Sequence, residues 1–186
     1  MAIHSTTASM LKESLSELLY AAKFCAEYRK DCDVWGKFKT GGCLGFPAAI
    51  LLFSIVDSIG SYFRGNKNIE ITIDSKPTLI KGTGSEHFKI LNSKYFNQDL
   101  SGDCIEALYA KFRSLLVHNS VIGKNTSMNI SNRGYGGPFQ EKTIKTEKIY
   151  YIYINEFCDL CEKAINEFIK DIDSIVPISK QGKNFH

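Results

Sequence analysis

The residues with the clearest chemistry in this chain are Arg113 and His118, five positions apart in the stretch Ser101 to Asn119. Arginine keeps its charge at any working pH, and its planar guanidinium group matches the geometry of a phosphate. Histidine titrates near neutrality and is the most common general acid or base in enzymes. A cation beside a proton-transfer group is the combination that phosphodiester cleavage requires. The pair therefore makes phosphodiester cleavage the first chemistry to consider.

The stretch that carries the pair is predicted to be an amphipathic helix. Its apolar residues have the spacing of a core-facing helix: Ile105, Leu108, Tyr109, Phe112, Leu115 and Leu116. At about 100° per residue, positions five apart lie about 140° apart, so Arg113 and His118 share no face of a straight helix. Asn119 and Ser120, with Gly123 soon after, favour a helix end near the histidine. The alternative is that a second copy of the chain completes the site.

The elements that must position the pair follow from apolar periodicity. Further helices are predicted over residues 8–30, 47–63, 86–96 and 155–175. A short strand over 69–73 and a β-hairpin or small meander over about 123–154 complete the prediction. Asn155 should cap the last helix, and residues 177–186 should form a loose tail. The chain is therefore predicted to be mainly α, with 1–186 as a single domain.

The helix over 47–63 is apolar nearly all round, so it should lie at the centre of the domain. Polar side chains break it along one stripe, formed by Ser54, Asp57, Ser58 and Ser61. A buried carboxylate needs a partner, and Arg113 or His118 is the partner predicted for Asp57. The alternative is that Asp57 and the serines face solvent near the helix end. His87, in the helix over 86–96, is predicted to be a surface histidine and not a ligand.

Composition favours an ordinary globular domain, because 44% of the 186 residues are hydrophobic and 23% are charged. The net charge of +3 permits nucleic acid as a partner without arguing for it. The N-terminus lacks the pattern of a signal peptide, and the longest apolar stretch, Leu44 to Val56, is shorter than the roughly 20 residues of a membrane span. We therefore expect a cytoplasmic protein that has no membrane partner and keeps its six cysteines reduced.

Two further motifs have simpler interpretations. Cys158 and Cys161 form a Cys-x-x-Cys pair, but zinc would need two more ligands, and a redox pair belongs to a thioredoxin-like sheet. Cys161 lies on the apolar stripe of the last helix, so a core position is favoured. The segment 134–137 lacks the strand-before, helix-after context of a phosphate loop and is predicted to be a hairpin tip. Arg133 and Tyr135 there could contact RNA.

The motif Arg113-Ser-Leu-Leu-Val-His118, within YAKFRSLLVHN on a late core helix, resembles the HEPN superfamily. Many members also carry an aromatic residue before the arginine and an asparagine after the histidine. The apolar helix over 47–63 and the closing helix over 155–175 suit the same layout. The resemblance implies a bundle of four or five helices, here with a small β-hairpin insertion. It also implies a homodimer in which both motifs face each other across the twofold axis.

Active members of this family are metal-independent endoribonucleases, so the resemblance implies no metal and no cofactor. His118 would transfer the proton of the ribose 2′-hydroxyl group, and Arg113 would stabilise charge on the phosphate, leaving a 2′,3′-cyclic phosphate. Asp57, Ser114 and Asn119 would support the pair. Many nuclease members carry a polar residue, often Asn, directly after the arginine, and this chain has Ser114 there. The implied partners are RNA, a second copy of the chain, and an antitoxin or nucleotidyltransferase in a toxin or phage-defence role.

Two other interpretations stay open. The family also contains non-catalytic members, so the chain could be a homodimeric interaction module. It could instead be an unrelated helical protein in which Arg113 is a surface residue and His118 bonds the last carbonyl groups of its helix. A solvent-open cleft where Arg113 and His118 of two subunits converge would favour the nuclease, whereas a cleft filled by apolar side chains would favour the interaction module.

Overall fold

The computed structural model describes residues 4–30, 42–131 and 136–183. Its helices are α1 Thr7–Glu27, α2 Gly45–Tyr62, α3 Gly102–Ala107, α4 Leu115–Asn119, α5 Ile154–Ile175 and α6 Lys180–Lys183. A π-helical segment, Leu108–Ser114, joins α3 to α4 without a break, and we call the continuous element 102–119 the motif helix. Two 3-10 helices, Gly84–Asn92 and Val176–Ile178, complete the helical part of the described residues. The prediction of a mainly α fold is confirmed.

Within the part of the chain that is described, five strands form two small sheets: β1 Thr72–Ile73, β2 Lys76–Pro77, β3 Thr126–Asn129, β4 Phe139–Ile144 and β5 Glu147–Tyr153. β1 and β2 pair as a two-stranded antiparallel ladder, shorter than the predicted strand over 69–73. β5 is the central strand of the second sheet, antiparallel to β4 and parallel to β3. The predicted β-hairpin is therefore present as β4–β5. The parallel pairing of β3 excludes a meander.

α2 lies at the centre of the core, as its apolar sequence predicts. Phe53, near its middle, is fully buried. Its ring centroid lies 5.6 Å from that of Phe88, 6.4 Å from that of Phe112 and 5.1 Å from that of Phe157. α2 is also the one helix of the described residues that is long and apolar enough to cross a membrane, but 56% of it is buried inside the protein. Burial against three other elements accounts for its apolar composition.

α5 closes the core with the stripe predicted from its sequence: Phe157, Cys161, Ala164, Phe168, Ile172 and Ile175 are all buried. The prediction that Asn155 caps this helix is wrong. β5 runs directly into α5, so the capping position falls on Tyr153, and Asn155 lies in the first turn. Its backbone N–H donates to the carbonyl of Ile130, at the end of β3, at 2.8 Å. A backbone carbonyl at the end of β3 thus accepts a hydrogen bond from the first turn of α5, which is the role that a capping side chain has in other helices.

The chain beyond residue 176 is more ordered than the loose tail that the sequence predicts. Residues 176–178 form a 3-10 turn and 180–183 form α6, while 184–186 lie outside the described residues. Ser179 is buried, and its hydroxyl accepts the backbone N–H of Gly182 at 2.9 Å. A Cβ atom on Gly182 would lie 1.8 Å from the carbonyl oxygen of Val176. Glycine therefore permits a close return of the backbone here.

Candidate functional site

Arg113 is held by Asp57, the carboxylate in the polar stripe of α2. The guanidinium Nη2 donates to Asp57 Oδ2 at 2.8 Å, and the two side chains are 24% and 22% exposed. The guanidinium carbon also lies 5.7 Å from the ring centroid of Tyr109, one turn earlier in the motif helix. A π-face and a carboxylate together restrict a planar cation. Of the two partners predicted for Asp57, the structure therefore shows Arg113.

His87 also contacts Asp57, and the prediction of a surface histidine is wrong. The residue is only 6% exposed, and Nδ1 lies 2.7 Å from Asp57 Oδ1. An ionised carboxylate can only accept hydrogen bonds, so Nδ1 carries the proton and donates. Nε2 is buried and has no hydrogen-bond partner among the residues that the structure describes. The cluster of ionisable groups at the end of α2 thus has three members, Asp57, His87 and Arg113.

Gly60 explains how His87 reaches α2. A Cβ atom at this position would lie 2.3 Å from the carbonyl oxygen of His87, so only glycine lets the 3-10 helix approach so closely. Gly60 follows Asp57 by about one helical turn, which places the ring of His87 beside the carboxylate. A lone glycine inside a long apolar helix was the sequence signal for this contact, because such a glycine often marks a close backbone approach.

The electrostatics of the cluster favour an ionised Asp57. Burial raises the pKa of this carboxyl group, but the hydrogen bond from His87 and the charge of Arg113 outweigh burial and hold the pKa below its ordinary value. The carboxylate therefore stays charged at neutral pH and keeps the guanidinium group in a charge-assisted hydrogen bond. The other N–H groups of Arg113 are not needed for this contact and can bind a second anion.

His118 lies in the last turn of the motif helix, five residues after Arg113, and is exposed. The helix ends directly after it, as predicted, because Ser120 adopts a left-handed conformation with φ 57° and donates its N–H to the carbonyl of Leu116 at 3.1 Å. The side chains of His118 and Asn119 make no hydrogen bond or ion pair within the described part of the chain. The structure therefore does not bring these two residues into contact with Asp57 or Arg113.

The π-helical segment changes the predicted geometry of the motif helix. A π-turn bonds residue i to i+5 and is wider than an α-turn, so the offset calculated for a straight α-helix does not apply across Leu108–Ser114. Gly123 donates its N–H to the carbonyl of Lys111 at 2.7 Å, which folds the following loop against the wide turn. Ser114 is the last residue of this segment and is half-buried. Arg113 therefore lies in the widened turn, and His118 in the regular one.

The remaining predicted features do not build a second site. Cys161 is fully buried, which confirms its core position, and burial raises the pKa of the Cys158 thiol to about 12. Within residues 4–30, 42–131 and 136–183, no group of three His, Cys, Asp or Glu side chains could hold a metal ion. Arg133 and Tyr135, the predicted RNA contacts, lie outside the described residues. The prediction of a hairpin tip at 134–137 is wrong, because this segment connects β3 to β4, which both pair with β5 and not with each other.

Searches against protein-family models, curated proteins and solved structures found no match to this chain. The HEPN resemblance therefore rests on the motif residues and their structural context alone.

Proposed function

We propose that this chain is a HEPN-type, metal-independent endoribonuclease that acts in the cytoplasm as a homodimer. The observation that carries the proposal is the contrast between Arg113, fixed by Asp57, and His118, exposed without a hydrogen-bond partner among the described residues. An oriented cation suits a phosphate, and a free imidazole suits proton transfer. Both residues belong to one continuous helix, so their backbone positions are fixed relative to each other within each copy.

In the proposed reaction, His118 takes the proton of a ribose 2′-hydroxyl group. The 2′-oxygen then bonds to the adjacent phosphorus, and the bond from phosphorus to the 5′-oxygen breaks. The leaving 5′-oxygen takes up a proton from solvent, and His118 returns the 2′-hydroxyl proton to solvent. The products are a 2′,3′-cyclic phosphate and a 5′-hydroxyl group. Arg113 stabilises the charge that gathers on the phosphate. Asp57 orients Arg113, and Ser114 and Asn119 lie next to the two reactive residues in sequence.

The proposal is tested by cleavage of structured and unstructured RNA in EDTA. We expect His118→Ala to lose about 10²- to 10⁴-fold in rate, the usual contribution of a general acid or base. Arg113→Ala should lose about 10²- to 10³-fold, as for other groups that stabilise transition-state charge. His4→Ala and Arg64→Ala are matched controls, because both residues lie outside the cluster, and they should cleave like the wild type. Equal cleavage by wild type and His118→Ala would remove His118 from the mechanism.

A second candidate function is a non-catalytic interaction module. Val117 and Val121, which flank His118, are 45% and 49% exposed, and exposed apolar side chains favour a protein contact. The partner would be a second copy, or the antitoxin or nucleotidyltransferase that the HEPN resemblance implies. This candidate predicts a dimer in light scattering that Val117→Asp disrupts, together with no RNA cleavage by the wild type. A dimer that cleaves RNA supports the nuclease, with a toxin or phage-defence role as its proposed setting.

A further inference from the structure

A short chain of hydrogen bonds leads from the 3-10 helix to Arg113. His87 donates from Nδ1 to Oδ1 of Asp57 at 2.7 Å, and Arg113 donates from Nη2 to Oδ2 at 2.8 Å. Each carboxylate oxygen therefore has its own donor, and the two donors come from different elements of the fold. The carboxylate cannot rotate without losing a charge-assisted hydrogen bond, so the three side chains adopt one joint arrangement.

We propose that His87 is the positioning residue for Arg113: its Nδ1–H group fixes the carboxylate of Asp57, and the carboxylate fixes the guanidinium group. The role of Arg113 towards RNA phosphate rests on the function proposed above. The coupling of His87 to Arg113 through Asp57 does not rest on it. His87 touches no reacting atom in this scheme, and it acts only through the orientation of the arginine.

The surroundings of His87 make it suitable for this role. It is the most deeply buried of the three, and Gly60 lets its backbone lie directly on α2. Phe88, the next residue, contacts Tyr109 edge to face with ring centroids 5.4 Å apart, and Tyr109 lies beside the Arg113 guanidinium. The 3-10 helix therefore restrains Arg113 by two routes, through Asp57 and through Tyr109.

The use of the imidazole ring also points to Asp57 as its target. Nε2 is buried without a hydrogen-bond partner in the part of the chain that is described. The one hydrogen bond found there for the ring goes through Nδ1 to Asp57. The bond to Asp57 is therefore the contact that sets the orientation of the ring.

Three substitutions at one position separate the role of Nδ1 from the role of bulk. The amide nitrogen of His87→Asn lies near the position of Nδ1 and can still donate to Asp57, whereas that of His87→Gln reaches the position of Nε2. His87→Leu removes both nitrogens and keeps an apolar side chain. We expect His87→Asn to retain RNA cleavage within about 3-fold, and the Gln and Leu variants to lose about 10- to 100-fold in kcat, as for a lost charge-assisted hydrogen bond. His4→Asn is the matched surface control.

The motion of the Arg113 guanidinium group gives a test that does not depend on cleavage. In ¹⁵N NMR of the wild type, hindered rotation should give separate signals for the Nη protons of Arg113. The signals should stay separate in His87→Asn and average in His87→Gln, His87→Leu and the positive control Asp57→Asn. Thermal unfolding of each variant shows that it is folded. If His87→Leu does not fold, the comparison of Asn with Gln decides.

The outcomes separate this proposal from the proposed function. Averaging in Gln and not in Asn supports the positioning role, whether or not the wild type cleaves RNA. Averaged signals in the wild type, or separate signals in every folded His87 variant, overturn it even where RNA cleavage by the wild type upholds the nuclease. Averaging in Asn as well as Gln overturns the assignment to Nδ1. If the Arg113 and His118 variants establish that the protein is a nuclease, an unchanged kcat in His87→Gln shows that positioning by His87 does not contribute to cleavage and overturns that part of the proposal.

Discussion

The π-helical turn around Arg113 and the last turn around His118 differ in almost every physical respect, although they follow each other in the motif helix. In the π-helical turn the arginine side chain is three-quarters buried, Asp57 and Tyr109 contact its guanidinium group, and His87 holds the other oxygen of the carboxylate. The last turn is a regular α-turn that finishes in solvent. The first turn is fixed by the fold of a single chain. The second is exposed on the surface.

This difference suits Arg113 and His118 to separate roles in the proposed reaction. An ion pair held by two elements costs no further ordering when a phosphate arrives, so the arginine is preorganised. An exposed imidazole can exchange protons with water and can meet a second molecule. In the proposed homodimeric nuclease, a second copy of the chain would complete the site beside His118. The predictions below test whether the contrast in burial is also a contrast in energy and function.

The largest effect on stability is expected from a substitution in the core beneath the π-helical turn that carries Arg113. Phe53 contacts Phe88 and Phe112, which are adjacent in sequence to His87 and Arg113. Phe53→Ala should lower the free energy of unfolding by about 3–5 kcal/mol, because it opens a cavity under both residues. Val117→Ala, at the exposed end, is the matched truncation and should cost less than about 0.5 kcal/mol. Urea unfolding measures the stability of both variants. Similar losses of stability would contradict the contrast between the turn around Arg113 and the turn around His118.

The next effect comes from Asp57 itself. Asp57→Ala should destabilise the protein by about 2–3 kcal/mol, less than the full cost of breaking a buried pair because both partners keep some solvent contact. The cause is that Arg113 loses its carboxylate and His87 loses its acceptor. Denaturant unfolding at neutral pH measures this loss in the free energy of unfolding. Asp173→Ala removes a carboxylate that is paired with Lys12 at the surface and should change stability by less than about 1 kcal/mol.

A pH titration sharpens the same comparison. Burial alone would raise the pKa of Asp57 in the folded protein. The hydrogen bond from His87 and the charge of Arg113 together outweigh burial, so the pKa is lowered. The stability that ionised Asp57 contributes to the folded protein is therefore fully present above the unfolded-state pKa of about 3.9. It is lost as the pH falls through the lower folded-state pKa. The stability gap between wild type and Asp57→Asn should narrow below about pH 4. A gap of constant size from pH 7 to pH 2 would exclude the ionised pair.

The smallest effect on stability belongs to His118. His118→Ala should change the free energy of unfolding by less than about 0.5 kcal/mol, because the side chain is exposed and makes no hydrogen bond among the described residues. The same variant should show the largest loss of RNA cleavage. Calorimetry beside the cleavage assay tests the two statements together. A large loss of stability would show that His118 serves the fold.

Apolar periodicity predicted the large elements well, because α2, α5 and the motif helix each bury a continuous stripe. The need of a buried carboxylate for a cation predicted Arg113 as a partner of Asp57. Neither argument could find His87, because its contact with Asp57 depends on the close backbone approach of the 3-10 helix at Gly60. The π-helical segment was equally inaccessible, since its hydrogen-bond register depends on how neighbouring elements fill the space around it. Local pattern thus predicts helices, and tertiary contacts decide the site.

The π-helical segment has a consequence for how the sequence can vary. A π-turn accommodates one residue more than an α-turn, so the segment acts as a phase shift between the start and the end of the motif helix. Deleting the exposed Ala110 would let the helix continue as a regular α-helix, with the residues before and after the segment in nearly the same phase as now. The wide turn that contains Arg113 would then be lost. The helix could therefore lose one residue at this segment without rotating its two flanks, but only by giving up the widened turn around the arginine.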